Sequence, residues 1–273
     1  MIPNVLTIAG SDSGGGAGIQ ADLKTFSALG TYGCSVIAAL TAQNTRAVTA
    51  IHDVPPAFVT AQLDAVFGDI EIKAVKIGML SRPETIAAVA EGLERWRARR
   101  VVLDPVMVAK GGDRLLAPEA VDALRERLLP LATVVTPNLP EAGVLLDRDP
   151  PTDEHGMVEA AAELRALGPM AVLLKGGHLE DEDESVDVFD DGGGAVQLAA
   201  RRVATRNTHG TGYTLASAIA AYLARGLALR DAVRAAKEYT TAAIAAADRL
   251  RVGHGHGPVH HFHALWPRET PQR

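Results

Sequence analysis

Four short stretches of this chain bring chemistry-bearing residues together with glycines or strand ends. In Arg206-Asn-Thr-His-Gly-Thr-Gly-Tyr-Thr-Leu-Ala-Ser-Ala218, Gly210, Thr211 and Gly212 come directly before a run of helix formers reaching Leu223. A glycine turn that opens a helix leaves backbone N–H groups unpaired, and the helix dipole adds partial positive charge at the same point. That is an anion hole; the alternative for this stretch alone is an ordinary loop entering an alanine-rich helix. Lys175 closes the apolar Leu173-Leu174 and meets Gly176-Gly177. A lysine there is costly unless it finds an anion, and phosphate is the natural one. Asp104 ends Val101-Val-Leu103 in the same way, where a carboxylate can orient magnesium or polarise a hydroxyl. In Thr136-Pro-Asn-Leu-Pro-Glu141, Asn138 and Glu141 are three apart and can face one point from a first helical turn. Such oxygen donors suit a hydrated magnesium, and equally suit plain helix capping. Taken together, the four supply an anion hole, a cationic clamp, a magnesium environment and acids, the inventory of phosphoryl transfer.

A fifth stretch, Ala9-Gly-Ser-Asp-Ser-Gly-Gly-Gly-Ala-Gly-Ile-Gln-Ala-Asp-Leu-Lys24, follows the first strand. Gly16, Gly18 and Ala21 make a nominal dinucleotide fingerprint, but the second strand ends Ala39-Leu-Thr-Ala-Gln43 without the acid a ribose needs. No Gly-Lys-Ser/Thr follows either, so a P-loop is excluded. The glycines instead let backbone approach a ligand, with Asp22 as an acceptor one turn into the helix.

The elements that must position these residues alternate between short apolar runs and longer helical patterns, which predicts an α/β fold with a mostly parallel sheet. The expected strands are Val5–Ala9, Ser35–Thr41, Ala74–Ile77, Val101–Leu103, Thr133–Val135 and Ala171–Leu174, apolar enough to be buried on both faces. Helices are expected near 17–28, 56–67, 83–98, 118–128, 138–146, 157–167, 212–224 and 229–247. Gly10, Gly78, Asp104, Asn138 and Lys175 then all fall at the carboxyl ends of strands, where open α/β sheets collect ligands. Residues 180–204 read as an appended hairpin with an acidic tip, Glu180-Asp-Glu-Asp-Glu184, and a glycine turn at 192–194. The whole of 1–273 reads as one domain.

Composition narrows the partners. A net charge of -6 and a pI near 5.8 argue against nucleic acid, which calls for a basic face. No stretch approaches the ~18 apolar residues of a membrane span, and the N-terminus does not read as a signal peptide. The single cysteine, Cys34, lies in an apolar run and reads as a core thiol, in keeping with a reducing cytoplasm. Histidines interleaved with glycines in Gly253-His-Gly-His-Gly-Pro-Val-His-His-Phe-His263 read as a packing tail rather than a zinc site.

In order, these motifs resemble the ribokinase-like superfamily, and more narrowly its bacterial hydroxymethylpyrimidine/phosphomethylpyrimidine kinases of thiamine biosynthesis. Thr41-Ala-Gln-Asn-Thr45, Lys76-Ile-Gly-Met-Leu80, Leu103-Asp-Pro-Val-Met-Val-Ala-Lys110, Lys175-Gly-Gly-His178 and Asn207-Thr-His-Gly-Thr-Gly212 carry it beside the stretches above. The resemblance implies a three-layer sandwich, ATP with Mg2+ as cofactors, two successive phosphorylations of a small pyrimidine, and a homodimer. It places the pyrimidine against Gly10, Asp22, Gln43, Met79 and Val106. It assigns nucleotide contacts to Lys175, Asn138, His209 and Thr211, magnesium to Asp104 and Glu141, and the transferring phosphoryl group to Gly210, Thr211 and Gly212.

One position departs: the family carries cysteine where this chain has Tyr213. A phenol, with a pKa near ~10, is a poor base at neutral pH. The first phosphorylation, which must remove a hydroxyl proton, is therefore expected to weaken more than the second. A pyridoxine or pyridoxal kinase of the same superfamily and a catalytically impaired pyrimidine-binding protein are the competing readings.

Overall fold

The computed structural model describes residues 1–107, 118–177, 179 and 183–267. The polypeptide builds one nine-stranded sheet, ordered β3-β2-β1-β4-β5-β6-β7-β8-β9. Its parallel centre consists of β1 (Asn4–Asp12), β2 (Tyr32–Gln43), β4 (Ile72–Ile77), β5 (Val101–Leu103), β6 (Val134–Val135) and β7 (Val172–Lys175). Antiparallel strands finish both edges: β3 (Val48–Asp53) on β2, and β8 (Glu184–Asp190) with β9 (Val196–Arg201) beyond β7.

Neighbouring residues of the central strands enter different cores. Leu6, Val75, Val101 and Leu174 join one apolar cluster, while Val5, Ala74, Val102 and Leu173 join the other. This is period-two geometry with both faces covered, and it explains the nearly unbroken apolar runs. The first cluster is covered by α2 (Pro56–Asp69), α3 (Pro83–Arg95), α4 (Pro118–Ala123), α5 (Leu139–Leu146) and α6 (Glu154–Ala166). The second is covered by α1 (Gly18–Ala28), α7 (Thr211–Ala224) and α8 (Leu229–Ala245). Helix α3 shows the pattern plainly: Ile86, Val89, Ala90 and Leu93 are buried at helical spacing behind a proline start. On α7 the buried residues are mostly small (Ala216, Ser217, Ala218, Ala220, Ala221), so the helix lies close over β4 and β5.

Three expectations change. Strand β3 was not foreseen, because its residues lie on an exposed edge and carry no apolar alternation. The hairpin does extend the sheet, but its turn is the glycine segment after Asp190; Glu184 opens β8, so the acidic run leads into the hairpin instead of forming its tip. Glu180, Asp181 and Glu182 lie outside the described residues. The predicted helix 118–128 is α-helical only to Ala123 and then widens into a π-turn over Leu124–Leu128. Cys34 is buried in the core, where desolvation pushes its thiol pKa up. Among the described residues, no helix is long and apolar enough to cross a membrane.

Candidate active site

A cavity of about 750 Å³ opens at the carboxyl ends of the parallel strands. Every central strand except β6 supplies it with a residue from its own end or just beyond, and Asn138 follows β6: Gly10 and Asp12 from β1, Gln43 from β2, Met79, Asp104 and Lys175 from β4, β5 and β7. A second depression, about 580 Å³, lies at the opposite ends of the strands around Asn4 and Lys73 and contains none of these groups.

The ceiling of the cavity is the start of α7. Gly210 is its N-cap, with φ of 81° and no side chain to close the helix; the Thr211 amide turns back to the Thr208 carbonyl at 3.4 Å, and no side chain caps the amides of Gly212 and Tyr213 behind it. Only glycine fits, since a Cβ at Gly210 would overlap the carbonyl oxygen of Gly16. At Gly212 a Cβ would stand 3.2 Å from Lys175 Nζ and 3.6 Å from Asp104 Oδ2. The missing side chain lets the helix end approach the charged cluster.

That cluster is compact. Lys175 Nζ donates to Asp104 Oδ1 at 3.0 Å and lies 3.9 Å from Glu141 Oε2; Thr136 donates to the same Asp104 oxygen at 3.2 Å. Burial works against the ammonium, but Asp104 and Glu141 outweigh it and hold the Lys175 pKa above its ordinary value. Burial likewise drives Glu141 up to about 7, with Lys175 pulling down and Asp104 pushing up. Asn138 and Glu141 also form a complete capping box: Asn138 Oδ1 accepts from the Glu141 amide and Glu141 Oε2 from the Asn138 amide, both at 2.8 Å. Of the two readings the sequence offered for this pair, the capping is seen here, and both residues also line the cavity.

At the other end the walls turn neutral. Gly10, Gln43, Met79 and Val106 line the cavity together. Between the two ends stands a pair of which the sequence reading gave a role to one member only, His209. Asp12 accepts from the amides of Gly14, Gly16 and Ala17, shaping the glycine-rich loop, and its Oδ2 lies 3.2 Å from His209 Nε2. Burial alone would raise its pKa; the bonds to His209 and to those amides hold it below the ordinary value. His209 Nε2 is also 3.4 Å from Gln43 Nε2, so the residue joins the glycine loop, the neutral end and the start of α7.

Asp22 is placed differently from its expected role. It is fully buried, does not line the cavity, and spends both oxygens on Lys76, Thr7 and Ser217. Tyr213 does line the cavity, and burial together with Asp104, Asp22, Glu141 and Asp12 pushes its ionisation well above the ordinary phenol value. The group stays a neutral phenol. The histidine tail packs as a strap: His209 donates to Gly257 and accepts from Val259, and His261 sits 3.1 Å from Thr214 Oγ1 with its pKa driven to about 3 by burial. Among the described residues no group of three or more histidines, cysteines and acids is placed to hold a metal. His178 lies outside them.

Comparison with known proteins decides what this edge belongs to. The family model for phosphomethylpyrimidine kinase matches residues 12–260. The chain belongs to the phosphomethylpyrimidine kinase family. The hydroxymethylpyrimidine/phosphomethylpyrimidine kinase of Rhizobium meliloti is 62% identical over 96% of this kinase and 97% of its own length. The Escherichia coli enzyme of the same name is 56% identical over 96% and 98%. Among solved structures, Bacillus subtilis pyridoxal kinase, seen as an ADP complex, superposes with a TM-score of 0.89 at 40% identity over 96% of this chain and 98% of its own. The phosphomethylpyrimidine kinase of Clostridium difficile gives 0.78 at 46% identity over 89% and 99%. The kinase thus has the ribokinase-like fold expected from its motifs, and relatives solved with ADP and AMP-PCP support ATP as its phosphoryl donor.

Sequence reasoning missed further residues of the cavity wall. Asp187 of β8 accepts from the Gly176 amide at 3.0 Å and from Lys237 of α8 at 2.8 Å, extending the charged wall beyond Lys175. Asp187 alternates with apolar neighbours on a strand, and that interruption is the one signal that could have exposed it.

Proposed function

We propose that this kinase phosphorylates 4-amino-5-hydroxymethyl-2-methylpyrimidine and then its monophosphate, with magnesium-ATP as donor. The observation that carries the reading is the division of one cavity into a neutral end and a charged end. Gln43 offers an amide that can both donate and accept, which suits the ring nitrogen and amino group of a pyrimidine, and Met79 and Val106 supply apolar walls. Lys175 supplies the charge that holds phosphates, and the uncapped first turn of α7 receives the group in transfer.

The donor set fits magnesium. Asp104 and Glu141 offer hard oxygen ligands that both face Lys175 Nζ, at 3.0 and 3.9 Å. When bound, the ion would neutralise charge on the phosphates being cleaved. His209, Asn138 and Thr211 complete the nucleotide side of the reading.

Neutral Tyr213 leaves the first turn of α7 without a base. A hydroxyl acceptor has to lose its proton on attack, whereas a phosphate acceptor is already ionised, so the second phosphorylation is favoured over the first. A pyridoxal-type heterocycle is the second reading, favoured by the TM-scores of the pyridoxal kinases and disfavoured by the higher identity of the pyrimidine kinases. ADP release with the pyrimidine, its monophosphate and pyridoxal offered separately tests all of this. The monophosphate is expected to turn over fastest; turnover of pyridoxal alone would overturn the reading. We also infer a homodimer through the open sheet edge at β3, where Leu40 of β2 and Ile51 of β3 are exposed apolar residues. Light scattering on I51K is expected to find a monomer where the unaltered chain gives a dimer.

A further inference from the structure

Behind the cavity wall lies a charged cluster to which the proposed chemistry gives no task. Lys76 of β4 is fully buried, and its ammonium donates to both oxygens of Asp22, at 2.8 and 2.9 Å. Asp22, on α1 and equally buried, accepts again from Ser217 Oγ of α7 and from Thr7 Oγ1 of β1, each at 2.6 Å. Three donors make four hydrogen bonds and fill the roughly four lone-pair sites of one carboxylate, so the cluster ties α1, β1, β4 and α7 at one point. The ammonium is also 4.5 Å from the centroid of the Tyr213 ring, within cation–π range.

Such a pair is an inefficient way to hold a fold, because desolvation of two charges consumes most of their attraction. Well-packed apolar residues would serve the core as well. What they could not supply is a cation against the ring of Tyr213, the residue next to Gly212 in the turn that faces Lys175 and Asp104. Neither Lys76 nor Asp22 lines the cavity, so neither touches a substrate there.

We propose that the Asp22–Lys76 pair is a positioning device: it fixes the Tyr213 ring, and through it the first turn of α7, so that the uncapped amides stay aimed at the phosphoryl group. This rests on the kinase reading of the α7 turn given above. Tyr213 is then a wall and an anchor, held from behind by a cation. Lys76 acts only through it.

A kinetic double-mutant cycle tests the coupling, using K76M in the unaltered, Y213F and Y213L backgrounds. The Y213F change keeps the aromatic face and Y213L removes it. K76M is expected to lower kcat about tenfold in the unaltered and Y213F backgrounds and less than about twofold in Y213L, with KM for the pyrimidine monophosphate nearly constant. Equal losses in all three backgrounds, or a loss confined to KM, would overturn the proposal. If K76M alone leaves Asp22 unpaired and fails to fold, D22N/K76M removes both charges at once and enters the same cycle. Failure of the kinase reading is distinguishable: the unaltered chain would then release no ADP with the pyrimidine monophosphate before any substitution is made.

Discussion

Helices α5 and α7 both begin at the carboxyl edge of the sheet and both send their first turn to the cavity, yet their ends are built in opposite ways. The α5 end is closed. Asn138 and Glu141 satisfy each other's amides, so no outside acceptor is needed. The α7 end is open, with a left-handed glycine as N-cap and no side chain to cover the amides. A closed end frees its carboxylate for other work, and Glu141 turns toward Lys175; an open end is unfinished until an anion arrives. One sheet edge therefore sets a helix end that carries a carboxylate beside one that carries no side-chain cap, with Lys175 between them.

Closing the open end should have the largest effect. Gly210→Ala asks an L-residue to hold φ of 81° and drives a methyl into the Gly16 carbonyl. Backbone strain of about 1–2 kcal/mol and overpacking of about 1–3 kcal/mol add, and the turn must move. A fall of several degrees in Tm with loss of nearly all ADP release is expected. A variant with normal Tm and normal turnover would show that the turn tolerates closure and would remove the contrast.

Next comes the cation between the ends. Lys175→Met leaves Asp104 and Glu141 facing each other without their shared ammonium. A kcat loss of about 10²–10³-fold is expected, the scale for removing one preorganised group that stabilises developing charge. Steady-state kinetics on the pyrimidine monophosphate would read it. A loss under tenfold would place the phosphate clamp elsewhere on the charged wall, with Lys237 the next cation along it.

A smaller effect should follow pH at the closed end. Glu141 has its pKa raised from 4.5 to about 7, so the folded protein keeps a proton that the unfolded chain has released across that window. Stability is therefore expected to fall as pH rises from about 4.5 to 7 and then to level, since the unfolded state binds fewer protons there. E141Q should flatten that slope in Tm measured without nucleotide. It should also remove the loss of magnesium affinity below pH 7, read by titration of the ion, because only the carboxylate competes with protons for it. An unchanged slope in E141Q would move the titrating group to another residue.

How much of this was legible in the sequence follows from the range of each interaction. The open end was readable because it is local: Gly210, Thr211 and Gly212 are consecutive, and glycines that open a helix bring no side chain to cap it. Asp104 and Lys175 were readable because a charge closing an apolar strand is conspicuous. Lys76 was not. It sits in a run taken as a buried strand, and its partner lies 54 residues away on a helix, so no spacing rule joins them. Asp22 was visible as a carboxylate, but which side of α1 it would face depends on α7, which follows about 190 residues later. Strand β3 was hidden for a different reason: an edge strand buries little, so its composition is free of the apolar signal that marked the others.

The finest test separates the two jobs of the closed end. Asn138→Ala removes one capping bond, worth about 1 kcal/mol, and should lower Tm by about 2–3 °C. Asn138→Ser restores an oxygen that can accept from the Glu141 amide, so it should recover most of that loss. If the side chain of Asn138 only caps, KM for ATP returns with the stability. If its amide also meets the nucleotide, as the family resemblance implies, N138S recovers Tm while KM for ATP stays raised, because serine lacks the amide nitrogen. The expected result is the second: Asn138 lines the cavity while its Oδ1 is already engaged with Glu141, which leaves the Nδ2 side of the amide as the group available to a ligand. A full recovery of both would reduce α5 to a scaffold and leave recognition of ATP to Lys175 and the open end of α7.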